Sequence, residues 1–427
     1  MAFRISHTAA LQFYEWVWRI ARPLLHKNAR LAEGFEQRIL QHHLPATDIW
    51  IQAASAGESY LAAAILENLK PRKPLRVLLT TNTRQGLDIL QKAVASAAPR
   101  SPLLSAATAY FPFDSPVIMR QAVRQADPEL VILLETEIWP GFLAALKQSR
   151  ARTMIVNGRI NEKYLKRYQL WPSLWRALAP DCIMAISPSD AERFDQLFGA
   201  GKVEVMPNMK FDRLSRPAAA DQNPVARLLG PQTPFLVLGS IRQEEETVIT
   251  KLISRIRLQL PEVVIGLFPR HMHRINQWKA IMSRSGTWQL RSAATPTIAG
   301  GTVVLWDTFG ELSLAYQSAT AAFVGGSLAP LGGQNFLEPL VCGVPPVIGP
   351  SWENFSWIGS EIIRPDLVRV ASDWERAADL LVQDLKAPRP RATVQRNALD
   401  YIRERQGGTA RACRAIEELL QDQPLAA

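Results

Sequence analysis

Short apolar runs, each four to seven residues long, recur along this sequence and are separated by segments of helix length. Continuous apolar runs of this size are typical of strands buried on both faces, as in a parallel sheet. Their alternation with helices predicts an α/β fold. The first series of runs is IWIQAA (49–54), LRVLLTT (75–81), LVILLE (130–135), TMIVN (153–157) and CIMAIS (182–187). The second is FLVLGS (235–240), VVIGLF (263–268), VVLW (303–306), AAFVGG (321–326) and PPVIG (345–349).

Two series of strands predict two domains. The 427 residues also exceed the roughly 250 to 300 that a single hydrophobic core usually serves. An Ala-, Pro- and Gly-rich stretch between the series is typical of a linker. We therefore predict two doubly wound domains that face a cleft. The predicted boundaries are 1–47 for an N-terminal segment, 48–214 for the first domain, 215–233 for the linker, 234–395 for the second domain and 396–427 for a closing helix and tail.

The net charge of +10 is concentrated in the first half of the chain, where residues 1–216 hold 28 Lys and Arg against 19 Asp and Glu. A basic half suits nucleic acid, an anionic membrane or an acidic substrate, although a soluble surface without a partner has the same composition. The three cysteines are far apart and lack metal-site or disulfide-framework spacing, which fits a reducing cytoplasm.

Residues 9–25, AALQFYEWVWRIARPLL, are rich in aromatic side chains. The segment is too short and too charged to span a bilayer, which needs about 20 apolar residues. It also lacks the cleavage site of a secretory signal. Two alternatives remain open, a helix lying in the membrane interface and a helix docked on the first domain.

A glycine-rich stretch follows the strand AAFVGG. Gly325 and Gly326 break the strand, Gly332 and Gly333 follow, and a short helix is predicted over 334–342. Backbone N–H groups at the start of such a helix suit a phosphate, and Glu338 is placed to bind ribose hydroxyls. A nucleotide is one interpretation; close packing of the chain on itself is the other.

Charged residues follow several of the predicted strands. Glu58 comes after the first strand at a helix N-terminus, where it can act as a general base or merely complement the helix dipole. Arg270 and His271 follow VVIGLF, and Lys210 and Arg242 occupy similar positions, all suited to phosphate or carboxylate. Because P-loop and dinucleotide fingerprints are missing and the acidic pair at 135–137 is a weak metal signal, we expect no bound metal and no cofactor.

Nine motifs span nearly the whole chain. They are IWIQAASAGE (49–58), YFPFDSP (110–116), DPELVILLETEIWPGFLAAL (127–146), VNGRI (156–160), MKFD (209–212), LFPRHMHR (267–274), LWDTFGEL (305–312), FVGGSLAPLGGQNFLEP (323–339) and VIGPSWENF (347–355). In this order they resemble the motifs of the 3-deoxy-D-manno-octulosonic acid (Kdo) transferases of lipopolysaccharide biosynthesis.

The resemblance implies a glycosyltransferase with two Rossmann-like domains, the B-type fold. It implies that the second domain binds CMP-Kdo, that the first binds a lipid A precursor, and that the reaction inverts the anomeric carbon without a metal at the cytoplasmic face of the bacterial inner membrane. It implies no nucleic-acid partner. By the matching motifs Glu58 is the base, with Ser55, Gly57 and Arg159 on the acceptor. The donor residues are Lys210, Ser240, Arg242, Arg270, His271, Gly310, Glu311, Gly333, Gln334, Asn335 and Glu338.

Three departures from the family motifs lie near the expected sites. Gln52 and Gln334 stand where histidines are usual, and 239–246 differs from the usual Thr-His motif with an internal glycine. The alternatives are therefore a transferase for another activated sugar acid, or a nucleotide-sugar-binding relative without turnover.

Overall fold

The computed structural model describes residues 5–199, 201–214, 223–230, 233–294 and 296–421. The chain forms two compact units, unit 1 comprising Met1–Arg213 with Arg405–Ala427, and unit 2 comprising Leu214–Glu404. Residues 215–222 and 231–232 of the predicted linker lie outside the described residues.

Unit 1 contains a parallel sheet in the order β3-β2-β1-β4-β5-β6-β7. Its strands are β1 (Ile49–Ala53), β2 (Leu75–Thr81), β3 (Leu104–Tyr110), β4 (Leu130–Leu134), β5 (Arg152–Gly158), β6 (Cys182–Ala185) and β7 (Val203–Val205). Its helices are α1 (Ile5–Leu25), α2 (Ala29–Ala32), α3 (Phe35–Arg38), α4 (Ala56–Asn68), α5 (Arg84–Ala97), α6 (Pro116–Ala126), α7 (Pro140–Leu146), α8 (Glu162–Tyr168), α9 (Pro172–Ala177), α10 (Pro188–Phe198) and α17 (Gly408–Gln421).

Unit 2 repeats this architecture with a parallel sheet in the order β10-β11-β9-β8-β12-β13-β14. Its strands are β8 (Phe235–Ile241), β9 (Val264–Pro269), β10 (Trp288–Leu290), β11 (Val303–Leu305), β12 (Ala321–Val324), β13 (Pro346–Ile348) and β14 (Arg369–Val370). Its helices are α11 (Glu246–Gln259), α12 (Ile275–Met282), α13 (Leu312–Ser318), α14 (Leu337–Val341), α15 (Trp374–Lys386) and α16 (Arg391–Arg403).

The two parallel sheets confirm the predicted fold class. Each core lies on both faces of its sheet, since the inner strands β1 and β4 are buried along their whole length. The sequence pattern missed β3, β7, β10 and β14. The strand β3 is built largely from Ala, Ser and Thr, and the other three are edge strands of only two or three residues, so none forms a long branched apolar run.

The C-terminal segment differs from the closing helix and tail predicted over 396–427. It forms α16 in unit 2 and α17 in unit 1, with a break at Gly407, whose φ of 104° favours glycine. The carboxylate of Asp212 accepts hydrogen bonds from the N–H groups of Gly407 and Thr409, each at 2.6 Å. This contact caps α17, so the MKFD motif has a structural role at its last residue.

The helix α1 is docked on unit 1 and also has an exposed apolar face. The Tyr14 hydroxyl donates to the buried carboxylate of Asp114 at 3.0 Å, and the Glu15 carboxylate accepts from the Ser115 hydroxyl at 2.6 Å. Trp18 packs on the ring of Phe113. The opposite side carries four large apolar side chains that are each more than half exposed, Phe13, Trp16, Ile20 and Leu24. The helix α1 is therefore docked on unit 1, as one of the two alternatives predicted, and its outer face is exposed; whether that face lies in a membrane interface stays a prediction.

Candidate active site

The carboxyl end of β1 holds Glu58 in a fixed position. Ser55 is the N-cap of α4, and its hydroxyl accepts a hydrogen bond from the Glu58 N–H at 3.3 Å. The Glu58 carboxylate turns back and accepts from the N–H of Ala54 at 2.6 Å and of Ser55 at 3.3 Å. This reciprocal arrangement is a capping box. It orients the carboxylate at the strand end, while Ser55 and Gly57 remain exposed beside it.

A second glutamate, Glu135, follows the adjacent strand β4 and binds two cations. Its φ is 55°, an uncommon left-handed conformation for a side-chain-bearing residue, and its side chain is almost fully buried. Arg159, which follows β5, donates to it at 2.8 Å, and the Lys210 ammonium lies 2.5 Å away. Backbone strain of this kind concentrates at functional sites.

A third glutamate, Glu137, lies two residues further on and is also buried. Its Oε2 accepts a hydrogen bond from the Trp139 indole at 2.6 Å and from the Gln52 side-chain amide at 3.2 Å. The strand ends of β1 and β4 therefore bring together Glu58, Glu135 and Glu137.

The three carboxylates perturb one another electrostatically. Burial, followed by the negative charge of Glu135, raises the pKa of Glu58, although its backbone hydrogen bonds oppose the shift. Burial, followed by the charge of Glu58, raises the pKa of Glu137 to about 8. Raised carboxyl pKa values in a cluster at a strand end are typical of groups that exchange protons during a reaction.

Sequence reasoning did not identify Glu135 and Glu137 as site residues. It treated the pair only as a weak metal signal. The available signal was an E-x-E pattern directly after the buried run LVILL, where side chains reach the carboxyl end of the sheet. Nor did the sequence indicate that Gln52, inside the buried strand β1, would bind one of these carboxylates.

Unit 2 brings a second group of predicted residues together. Asn335 donates to the Glu338 carboxylate at 2.9 Å. Burial raises the pKa of Glu338, and the nearby positive charge of Arg270 opposes the shift. Burial, then the charges of Arg242 and Arg270, lower the pKa of His271. This end of the sheet therefore combines a buried carboxylate with two guanidinium groups, as a nucleotide's ribose and phosphate would require.

The remaining predicted donor residues have other local roles. Arg291 binds Glu311 through two hydrogen bonds of 2.8 Å. Burial raises the pKa of Glu311, but hydrogen bonds from Arg291, Trp306 and Thr308 outweigh it and lower that pKa below its usual value. Three others have positive φ, namely Ser240 within an irregular part of β8, and Gly310 and Gly333 in loops. Lys210 belongs to unit 1, where it pairs with Glu135.

The glycine-rich loop after β12 is occupied by the chain itself. The buried carboxylate of Glu245 accepts from the N–H groups of Gly326 at 2.5 Å and of Ser327 and Leu328 at 2.9 Å. A Cβ on Gly325 would lie 2.8 Å from the backbone oxygen of Ser240. Close packing of the chain, the alternative interpretation, therefore explains this part of the loop.

The predicted helix over 334–342 is also shorter than expected. It is α14, which begins at Leu337, so Gln334 and Asn335 precede it. The Asn335 side chain accepts from the Leu337 N–H at 3.2 Å, and this local turn occupies the backbone ahead of the helix. A helix N-terminus at Gln334 is therefore wrong, and Gln334 instead packs over Gly326.

Solved structures share the fold of this chain. A glycosyltransferase from Rickettsia africae ESF-5 matches with a TM-score of 0.58 at 10% identity, covering 88% of this chain and 100% of that one. A UDP-GlcNAc 2-epimerase from Neisseria meningitidis, bound to UDP-GlcNAc, matches with a TM-score of 0.56 at 12% identity and the same coverage. The likeness shows the fold, which is the B-type fold of glycosyltransferases.

Sequence comparisons then identify the family. The family model described as 3-Deoxy-D-manno-octulosonic-acid transferase (kdotransferase) matches residues 27–213. The 3-deoxy-D-manno-octulosonic acid transferase of Bordetella pertussis is 30% identical over 414 residues, which are 95% of each chain. That of Haemophilus influenzae is 26% identical over 393 residues, 88% of each chain. This chain belongs to the 3-deoxy-D-manno-octulosonic acid transferase family and is a glycosyltransferase.

The role assigned to Glu245 gives a test of the glycine loop. Glu245→Gln keeps the shape but replaces a charged acceptor by a neutral one, with an NH₂ group facing backbone donors. We expect it to lower the free energy of unfolding by about 2 kcal/mol or more, since each hydrogen bond to a charged group contributes about 1.5 to 3 kcal/mol. Denaturant unfolding of the full chain measures this. Glu244→Gln, at the neighbouring half-exposed side chain, is the matched control, and equal stability of the two variants would contradict the assignment.

Proposed function

We propose that this protein transfers Kdo from CMP-Kdo to a lipid A precursor by direct, inverting displacement, with Glu58 as the general base. In this step the acceptor hydroxyl oxygen bonds to the anomeric carbon, and the bond from that carbon to the phosphate oxygen breaks. The proton passes to Glu58, and CMP leaves with the electron pair. The observation that carries the proposal is the Glu58 carboxylate, held at the strand end by two backbone N–H groups.

The surroundings of Glu58 support the role of a base. A hydroxyl is a poor nucleophile at neutral pH unless a positioned base takes its proton, which typically contributes about 10²- to 10⁴-fold. The raised pKa of Glu58 makes it a stronger base than an ordinary surface glutamate. Arg159 is two-fifths exposed while it binds Glu135, so its guanidinium is available to an acceptor phosphate as well.

The donor in this proposal binds unit 2. Glu338, held by Asn335, accepts hydrogen bonds from the ribose hydroxyls, and Arg270 binds the phosphate or the sugar carboxylate. Cationic side chains of this kind stabilise the charge that develops on the leaving phosphate. We assign Arg242 and His271 to the same anionic groups because His271 lies within electrostatic range of both Arg242 and Arg270, and its lowered pKa leaves it a neutral hydrogen-bond donor.

Membrane attachment forms the second part of the proposal. The outer face of α1 exposes Trp16 and Ile20, and the α8–α9 segment exposes Leu170 and Trp171 beside basic residues of α8. Apolar side chains interleaved with cations suit the cytoplasmic face of an anionic inner membrane. Among the described residues, no helix has the length and apolar character needed to cross a bilayer.

Glu58→Gln tests the catalytic part. The amide keeps the shape of the side chain but cannot take a proton, so we expect turnover to fall by about 10²- to 10⁴-fold. CMP binding and the melting temperature should stay close to wild type, because Glu58 lies in unit 1 and its capping contacts can be partly kept by the amide oxygen. The matched control is Glu67→Gln near the end of the same helix. Lipid product at the control rate would refute the assignment of Glu58.

Trp16→Ser combined with Ile20→Ser tests the membrane part. Substitution is preferable to deleting α1, because Tyr14 and Glu15 of the same helix hold unit 1 together. We expect binding to vesicles of phosphatidylglycerol and phosphatidylethanolamine to weaken by about tenfold or more, since burying each such side chain contributes on the order of 1.5 kcal/mol or more. Leu258→Ser, on an exposed position of unit 2, is the control. Vesicle flotation that is equal for all variants, at low and high salt, would contradict attachment through α1.

A further inference from the structure

A directed chain of buried hydrogen bonds runs through unit 1 to Glu137. The Trp50 indole donates to the Thr80 hydroxyl at 2.8 Å, and that hydroxyl donates to Gln52 Oε1 at 2.6 Å. Gln52 Nε2 then donates to Glu137 at 3.2 Å. Because an indole N–H can only donate, the Thr80 oxygen must accept, and its own proton points to Gln52. The orientation of the Gln52 amide is therefore fixed, with its NH₂ group facing Glu137.

The donors that reach Glu137 are neutral and converge on one oxygen. Both Gln52 and the Trp139 indole bind Oε2, which leaves Oε1 as the oxygen to carry a proton. Glu135, by contrast, has Arg159 and Lys210 as charged partners. An ionised carboxylate that is buried with neutral donors alone is costly, so its protonated form is favoured.

The charged and titratable groups that face Glu137 all add to this preference or leave it unchanged. Glu58 from α4 and Glu135 from its own loop are negative and raise its pKa, which burial raises first. Tyr168 from α8 also lies within electrostatic range, and its own pKa is raised by burial and by Glu137, so it stays neutral. The cations Arg159 and Lys210 are paired with Glu135 and offset its charge.

Glu58 and Glu137 differ in the groups that stabilise their anions. Two backbone N–H groups bind the Glu58 carboxylate, whereas Glu137 has neutral side-chain donors, and burial followed by the charge of Glu58 raises its pKa to about 8. The pair resembles other carboxylate pairs in which neighbouring environments give the two groups different charge states.

We propose that Glu137 holds the proton of this pair and thereby keeps Glu58 ionised and able to accept the proton of the acceptor hydroxyl. Glu137 is then a positioning residue that acts through Glu58. The inference deepens the proposed function and rests on Glu58 as its base. The proton balance is simple, since Glu137 keeps its proton throughout while Glu58 takes one from the acceptor and returns it to solvent after CMP has left.

Carboxyl protonation can be measured without turnover. Protein labelled with ¹³C at glutamate Cδ is titrated between pH 5 and 9 by NMR or by infrared spectroscopy of the protonated carbonyl. We expect a buried carboxyl with an apparent pKa near 8 in the wild type, and its loss in Glu137→Gln. Glu162→Gln at the start of α8 is the control, in which that signal persists.

The pH dependence of kcat/KM separates positioning from a merely structural role. Glu137→Gln is a neutral mimic of the protonated carboxyl, so the acidic limb that reports Glu58 should stay at the wild-type pH, and any fall in kcat/KM above pH 8 that follows ionisation of Glu137 should disappear. An acidic limb that moves to lower pH by about one unit, or a titration near pH 8 that survives in Glu137→Gln, would overturn the proposal. If Glu58→Gln were fully active, the proposed function would fail, while the titration of Glu137 would still be readable.

A second variant covers the case in which Glu137→Gln does not fold. Gln52→Leu keeps Glu137 but removes one of the donors that stabilise its anion. We expect the titration assigned to Glu137 to move to higher pH. If the titration of Glu137 stays at the same pH or moves to lower pH in Gln52→Leu, the hydrogen-bond chain does not stabilise the Glu137 anion.

Discussion

Both units contain the same local interaction, a glutamate side chain that turns back onto backbone N–H groups at the end of an inner strand of its sheet. In unit 1 this is Glu58 after β1, and in unit 2 it is Glu245 after β8. Each satisfies donors that the chain would otherwise leave unpaired as the strand turns into a helix. The two outcomes differ because Glu245 is fully buried and binds three further N–H groups, whereas Glu58 is only partly buried. The same arrangement closes the glycine-rich loop in unit 2, and in unit 1 it leaves a partly exposed carboxylate that we propose as the base.

The three carboxylates of unit 1 differ in the charges and hydrogen-bond donors that surround them. Arg159 and Lys210 neutralise Glu135, so this residue serves as an anchor for cations at the site. Glu58 accepts hydrogen bonds from backbone N–H groups, whereas Glu137 accepts them from neutral side chains. Burial is the largest cause of the raised pKa of Glu137. At distances of a few ångströms in a partly buried setting, like charges interact by several kcal/mol. Like charges therefore favour a protonated form of one carboxylate, and in our proposal the neutral hydrogen-bond donors make Glu137 the one that carries the proton.

The sequence predicted the architecture and the family because both rest on patterns that extend over many residues. Buried runs such as LVILL mark the inner strands, and the ordered motifs identify the relatives. The short edge strands Val203–Val205 and Arg369–Val370 carry no such pattern and were missed. The sequence also did not predict the contacts between residues that are distant along the chain. Nothing local shows that Glu245 reaches the loop at Gly326, that Asp212 caps a helix almost two hundred residues later, or that Gln52 binds Glu137.

We propose that unit 1 supplies a carboxylate base for sugar transfer from a donor bound by unit 2. The test is to incubate the purified full chain with CMP-Kdo and a lipid A precursor, without added metal, and to follow the lipid by mass spectrometry together with the anomeric configuration of the attached sugar by NMR. We expect a Kdo-bearing lipid whose anomeric configuration is opposite to that of the donor. A folded protein that leaves the lipid mass unchanged, or a product that retains the donor's configuration, would contradict it.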